Sequence, residues 1–129
     1  MKLLNITLIL YGVLMLLDLI WLGIVAKKFY TAQIGGLMRQ QPNVLAGVLV
    51  YFLLAVGITV FVISPYIVNP SNSNPVLLGA LFGLIVYSVY DLTNLAILYK
   101  WPLELSVLDI LWGTALCSIS TFIITRFFI

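Results

Sequence analysis

Read for polarity alone, the chain alternates long apolar runs with short polar breaks. The runs cover about residues 3–26, 44–67, 76–99 and 103–125. Each reaches the roughly 20 residues that an α-helix needs to cross the hydrocarbon core of a bilayer. Only Asn5, Thr7 and Asp18 interrupt the first. It is too long for a signal-peptide core and no small-residue cleavage motif follows it, so it is expected to remain as a span. The second begins just after Pro42, where a proline costs a helix little, and Pro65 is expected to kink or end it. It carries no charge, and Thr59 is its one clearly polar interior residue, so it reads as scaffold. Asn69 to Pro75 (NPSNSNP) is a turn sequence. In the third run Gly79 and Gly83 form a G-x-x-x-G pair, which lets a neighbouring backbone approach closely. Trp101-Pro102 separates it from the fourth, which holds Thr114, Ser118 and Thr121 and is closed by Arg126. The expected fold is an all-α membrane protein, an antiparallel four-transmembrane-helix bundle forming one domain over residues 1–129.

Composition agrees. Of the 129 residues 64% are hydrophobic and only 8% charged, against about a quarter charged in an ordinary soluble domain. The net charge of +2 is too small and dispersed to suggest nucleic acid. Cys117 is alone, so no internal disulfide is available, and the absence of histidine removes the commonest general base and transition-metal ligand. No nucleophile elbow, HExxH or P-loop occurs, and no metal site or cofactor is expected.

Residues 27–43 are the longest polar connection, with Lys27, Lys28, Arg39 and Gly35-Gly36. Phe29, Tyr30, Ile34, Leu37 and Met38 are loosely helical in spacing, so this segment reads either as an interfacial helix or as a plain loop. The face holding the first and third connections carries Lys27, Lys28, Arg39 and Lys100; the other carries Lys2 and Arg126. The positive-inside rule then puts both termini on the non-cytoplasmic side.

The chemistry concentrates in the carboxylates. At about 1.5 Å of rise per residue, Asp18 and Asp91 lie about 12 Å below the basic face, and Asp109 about 9 Å below it. Three helices thus bring an acid to one depth, while Glu104 sits nearer the surface beside Lys100. Each acid has a companion three residues on, on its own helical face: Trp21, Asn94 and Trp112. Tyr87 stands one turn before Asp91, and Tyr90 one turn before Asn94. The D-x-x-W of the first and fourth spans hints at an internal repeat. Acids at mid-membrane carry an insertion cost of roughly 2.5–3.5 kcal/mol each. Interhelical hydrogen bonds average about 0.6 kcal/mol, so helix-to-helix glue explains a layer of acids poorly. The alternative is that the acids are neutral, or paired with lysines snorkelling at the rim. Trp101 suits the aromatic belt at the membrane surface; Trp112, and less clearly Trp21, share the acids' level.

The series D-L-T-N-L-A at 91–96, W-P at 101–102 and D-I-L-W-G at 109–113 resembles a family of small bacterial membrane proteins known as a domain of unknown function, family 2177. D-L-I-W-L-G at 18–23 and K-K-F-Y at 27–30 fit the same family, so nearly the whole chain is covered. The resemblance implies a four-span protein of the bacterial inner membrane. It brings no activity and no catalytic residue with it.

Three functions follow from the acid layer. The first is a bundle that binds, or in an assembly transports, an amphiphilic, cationic or proton-coupled ligand at Asp18, Trp21, Tyr87, Asp91, Asn94, Asp109 and Trp112. A homodimer would be needed for a transport path through so small a protein. The second is a membrane-embedded enzyme acting on a lipid through paired carboxylates, or through a hard cation held by oxygens. The third is a structural subunit whose partner completes the polar layer. Membrane lipid is a partner in all three.

Overall fold

The computed structural model describes residues 1–129 throughout and is helical, with no strand. Helix α1 (Leu3–Val25) rises to the basic face and ends in a wide π turn at Trp21–Val25. Helix α2 (Lys27–Ile34) follows after a single residue. Helix α3 (Val44–Val68) descends, α4 (Pro75–Ile97) rises and α5 (Leu103–Phe127) descends. These four long helices are apolar enough to span a bilayer. Large side chains such as Leu4, Val44, Leu77 and Phe127 are exposed on their outer faces, as lipid contact requires and water contact would penalise.

Asparagine caps start two of the spans. Asn43 accepts from the Ala46 amide and Asn74 from the Leu77 amide, both at 3.1 Å, satisfying donors that the first turn leaves free. Pro65 neither ends nor sharply interrupts α3. The backbone widens into a π turn at Thr59–Ile63 just before it, which accommodates the missing N–H and the ring's clash with the preceding turn. The helix then runs on to Val68.

Spacing of four residues orders the interior. On α1 the buried stripe is Ile6, Leu10, Leu14 and Asp18. On α3 it includes Ala55, Ile58 and Val62, with half-buried Tyr51 one turn above Ala55. The stripe on α4 is Gly79, Gly83, Tyr87 and Asp91, in which only Tyr87 is not fully buried. Helix α5 is buried on the widest arc, from Leu105 and Ser106 down to Ile124. The main core joins α1, α3 and α5, with Ile6, Leu10, Leu14, Ile58, Leu116 and Ile124 fully enclosed.

Helix α4 packs along most of α5 by a different means. It has no large buried aliphatic residue. A Cβ added at Gly79 would lie 2.9 Å from the Cys117 carbonyl oxygen, and one at Gly83 would run into the Gly113 carbonyl. The tyrosine ring of Tyr87 fills the notch at Gly113. The G-x-x-x-G pair is therefore used within the chain and is not free to pair two copies. Helices α1 and α3 are joined lower down by the Thr7 hydroxyl, which donates to the Thr59 hydroxyl at 2.9 Å.

Helix α3 touches α4 near Gly57, whose Cα faces the Phe82 ring, and through the turn at Thr59–Ile63. Towards the basic face the two helices part. That separation makes room for a site.

Candidate functional site

Three acids sit where these stripes reach their upper ends. The stripe of α1 ends on Asp18, that of α4 on Asp91, and Asp109 lies on the buried arc of α5, one turn above Gly113. All three are buried. Their partners differ.

Asp18 is enclosed by donors from two other helices. The Tyr51 hydroxyl of α3 donates to its Oδ2, and the indole N–H of Trp112 on α5 donates to Oδ1 at 2.8 Å. Asp109 accepts the Tyr30 hydroxyl at 2.7 Å on Oδ1. Tyr30 in turn accepts the indole N–H of Trp21 at 3.2 Å. The two indoles stack face to face, with centroids 4.5 Å apart and planes 7° from parallel. The D-x-x-W motifs of α1 and α5 thus brace one another: Trp112 serves Asp18 directly, and Trp21 serves Asp109 through Tyr30.

Tyr30 is the contribution of α2. This helix folds over the bundle so that Tyr30 is buried with Ala26 and Leu105, against Trp21, Phe29, Ile34 and Trp101. The segment is a short helix, and it closes the site from above instead of only lying on the headgroups. Burial first, and then the neighbouring Asp109, pushes the Tyr30 phenol above its ordinary range. It remains a hydroxyl donor wherever ordinary tyrosines do.

Asp91 is the exception. It is 0% exposed, and neither carboxyl oxygen has a hydrogen-bonding partner, so no lysine or arginine reaches it. The Asp109 carboxyl of α5 is its acidic neighbour.

Beside these acids lies a cavity of about 420 Å³. Its polar wall is Asp18, Asp109 and Tyr30; its aromatic wall is Tyr87, Tyr90 and Trp101. Leu22, Ile34, Val50, Leu54, Val86 and Leu105 complete the lining, which contains no basic residue. The Trp101 indole packs edge-on to Tyr90 at 5.8 Å, and its N–H is buried without a partner. No three acid or cysteine side chains converge as a set that would hold a metal ion.

Of the residues singled out in the sequence, Asp18, Tyr87 and Asp109 line this cavity. Trp21 and Trp112 stand behind it as donors to the network, and Asp91 stands behind Asp109. Asn94, half-buried, is outside the lining. Glu104 and Lys100 are exposed at the surface. Trp101, assigned to the aromatic belt, turns inward to the cavity instead.

Reading α3 as plain scaffold overlooked Tyr51. Of the two tyrosines of that span, Tyr51 and Tyr66, it is the one that the count of residues from the basic face reaches at the level of Asp18. Nothing in the polarity pattern announced Tyr30, because only the fold of α2 over the bundle carries it to Asp109.

A sequence model for a family described as "Predicted membrane protein (DUF2177)" matches residues 3–125. No curated protein and no solved structure matches the chain.

Proposed function

Since this chain belongs to the DUF2177 family of predicted membrane proteins, we propose that it is a ligand-binding bundle that takes a small cationic or amphiphilic molecule against Asp18 and Asp109. One observation carries this: an apolar and aromatic cavity whose charged groups are all carboxyls. Pockets for small organic ligands combine such walls with a few converging polar groups. A cation there gains carboxylate oxygens and the faces of Tyr87, Tyr90 and Trp101 together. An anion finds no basic partner in the lining. The tight bracing of Asp18 and Asp109 by indole and phenol donors holds the acceptors in place before a ligand arrives, which lowers the ordering cost of binding. With the basic face on the cytoplasmic side, the cavity lies just beneath the cytoplasmic surface.

The three tryptophans of the chain all stand in or against this site, so their fluorescence reports its occupancy. Titration of the protein in lipid nanodiscs with dodecyltrimethylammonium should give a saturable fluorescence change. Asp109→Asn should weaken the apparent affinity at least tenfold while the protein keeps its helical circular dichroism, and Asp18→Asn should do likewise. If both variants bind as the wild type does, the assignment fails.

The contact between Asp91 and Asp109 favours a second reading, in which the pair acts as acid and base on a lipid. Turnover of membrane lipid that vanishes in both Asp91→Asn and Asp109→Asn, with products visible by mass spectrometry, would establish it over simple binding.

A further inference from the structure

Helices α3 and α4 meet at Gly57 and Phe82 and at the Thr59–Ile63 turn, but not above. Beyond that hinge point their facing residues, Val50 and Leu54 on one side and Val86, Tyr87 and Tyr90 on the other, line the cavity instead of each other. Val50 is 54% exposed and Tyr90 55% exposed. Both lie well inside apolar spans, about 9–11 Å from the helix ends on a rise of 1.5 Å per residue. The surroundings at that depth are acyl chain, not water. From above, α2 and Trp101 cover the same space through Tyr30 and Ile34. The cavity is therefore covered towards the basic face and slit open towards the hydrocarbon.

We infer that the ligand is a single-chain ammonium amphiphile that reaches the site sideways from the bilayer, through the gap between α3 and α4. This rests on the binding reading above and narrows it to one chemical class and one route. Its head is set by the cavity's charge: carboxyls at Asp18 and Asp109, no basic residue to take a phosphate, and ring faces from Tyr87 and Tyr90. Its tail is set by the slit, whose lips are apolar or aromatic and already face acyl chains. Its size is set by the volume. The 420 Å³ available is at the small end of the roughly 300–1,000 Å³ of small-molecule sites, enough for a head and a length of one chain but not for a two-chain phospholipid.

The test is photolabelling in nanodiscs with a long-chain trimethylammonium amphiphile that carries a diazirine in mid-chain, the labelled residues being found by mass spectrometry. The tail in the slit should label residues 49–54 of α3 and 86–90 of α4 at least tenfold over the outward-facing Leu4, Leu8 and Phe122. An excess of unlabelled amphiphile should remove that labelling, and tetramethylammonium, which has no tail, should not at equal concentration. Asp109→Asn should lower it about tenfold, and the competition experiment needs no variant if that protein folds poorly. Labelling that is saturable and Asp109-dependent but confined to α2 and Trp101 would overturn the lateral route and leave the binding reading standing. Labelling spread evenly over the lipid-facing residues, insensitive to competitor and to Asp109→Asn, would overturn both.

Discussion

At the scale of single residues, Asp18 shows how a membrane protein keeps a carboxyl in its interior. Two donors from different helices, Tyr51 and Trp112, each take one oxygen, so neither oxygen is abandoned in a medium without water. Tyr51→Phe removes one of them. Leaving a buried acceptor unpaired costs about 1–3 kcal/mol, so Tyr51→Phe should lower stability by that order. The interaction itself is isolated by a double-mutant cycle with Asp18→Asn, read from reversible unfolding in mixed micelles. A coupling below about 0.5 kcal/mol, under the membrane average for such bonds, would mean that Trp112 alone holds Asp18. Tyr30 makes the same argument from outside the spans. Burial and Asp109 raise its phenol above the ordinary tyrosine value of 10.0. Tyr30 therefore gives full support well below pH 10, where the unfolded phenol is still protonated, and progressively less as pH rises through and above that value. In an alkaline titration followed at 295 nm, the difference between wild type and Tyr30→Phe should show a phenol that ionises only above that value. A Tyr30 phenolate at or below pH 10 would contradict the burial that brings α2 over the site.

At the scale of elements, the close pairing of α4 with α5 decides where Asp91 and Tyr87 end up. Residues Gly79, Gly83, Tyr87 and Asp91 succeed one another at four-residue intervals, so any change that pushes α4 away at the glycines also moves the acid. Gly83→Leu must displace the Gly113 backbone, since a single carbon at that position already meets its carbonyl. Gly12, by contrast, has open space around it. Gly83→Leu should therefore destabilise the bundle by several kcal/mol, in the range of overpacked cores, and weaken ligand affinity with it. Gly12→Leu should change neither measurably. Equal melting temperatures for the two variants would mean that the α4–α5 contact carries little of the stability. The turn at Thr59–Ile63 has a related role: by absorbing Pro65 without a break, it lets α3 remain one rod that closes on α4 below and opens from it above.

At the scale of the whole molecule, four antiparallel spans put residues 1, 69–74 and 129 on one membrane face and residues 27–43 and 98–102 on the other. In a Cys117→Ala background, Ser71→Cys and Gln33→Cys should be labelled by a membrane-impermeant maleimide from opposite sides, with Gln33→Cys on the cytoplasmic side if the basic face is inward. Labelling of both from one side would refute the four-span topology.

Spans, their order and the common depth of the acids were all legible along the chain, because apolar run length and rise per residue are local quantities. Both ends of the D-x-x-W motifs were visible too, but not that each tryptophan serves the other motif's aspartate. That exchange depends on how α1 and α5 are rotated about their axes. In water a polar face fixes such a rotation; in lipid the outward face is as apolar as the inward one, and hydrophobic pattern says little about it. For the same reason, Tyr51 and Trp101 were read as scaffold and belt. Run length, depth and charge asymmetry thus determined a four-span bundle with an acid layer under a basic face. Only tertiary packing decided which aromatic donor met which acid, that α2 closed the top, and that α3 and α4 stood apart at that level.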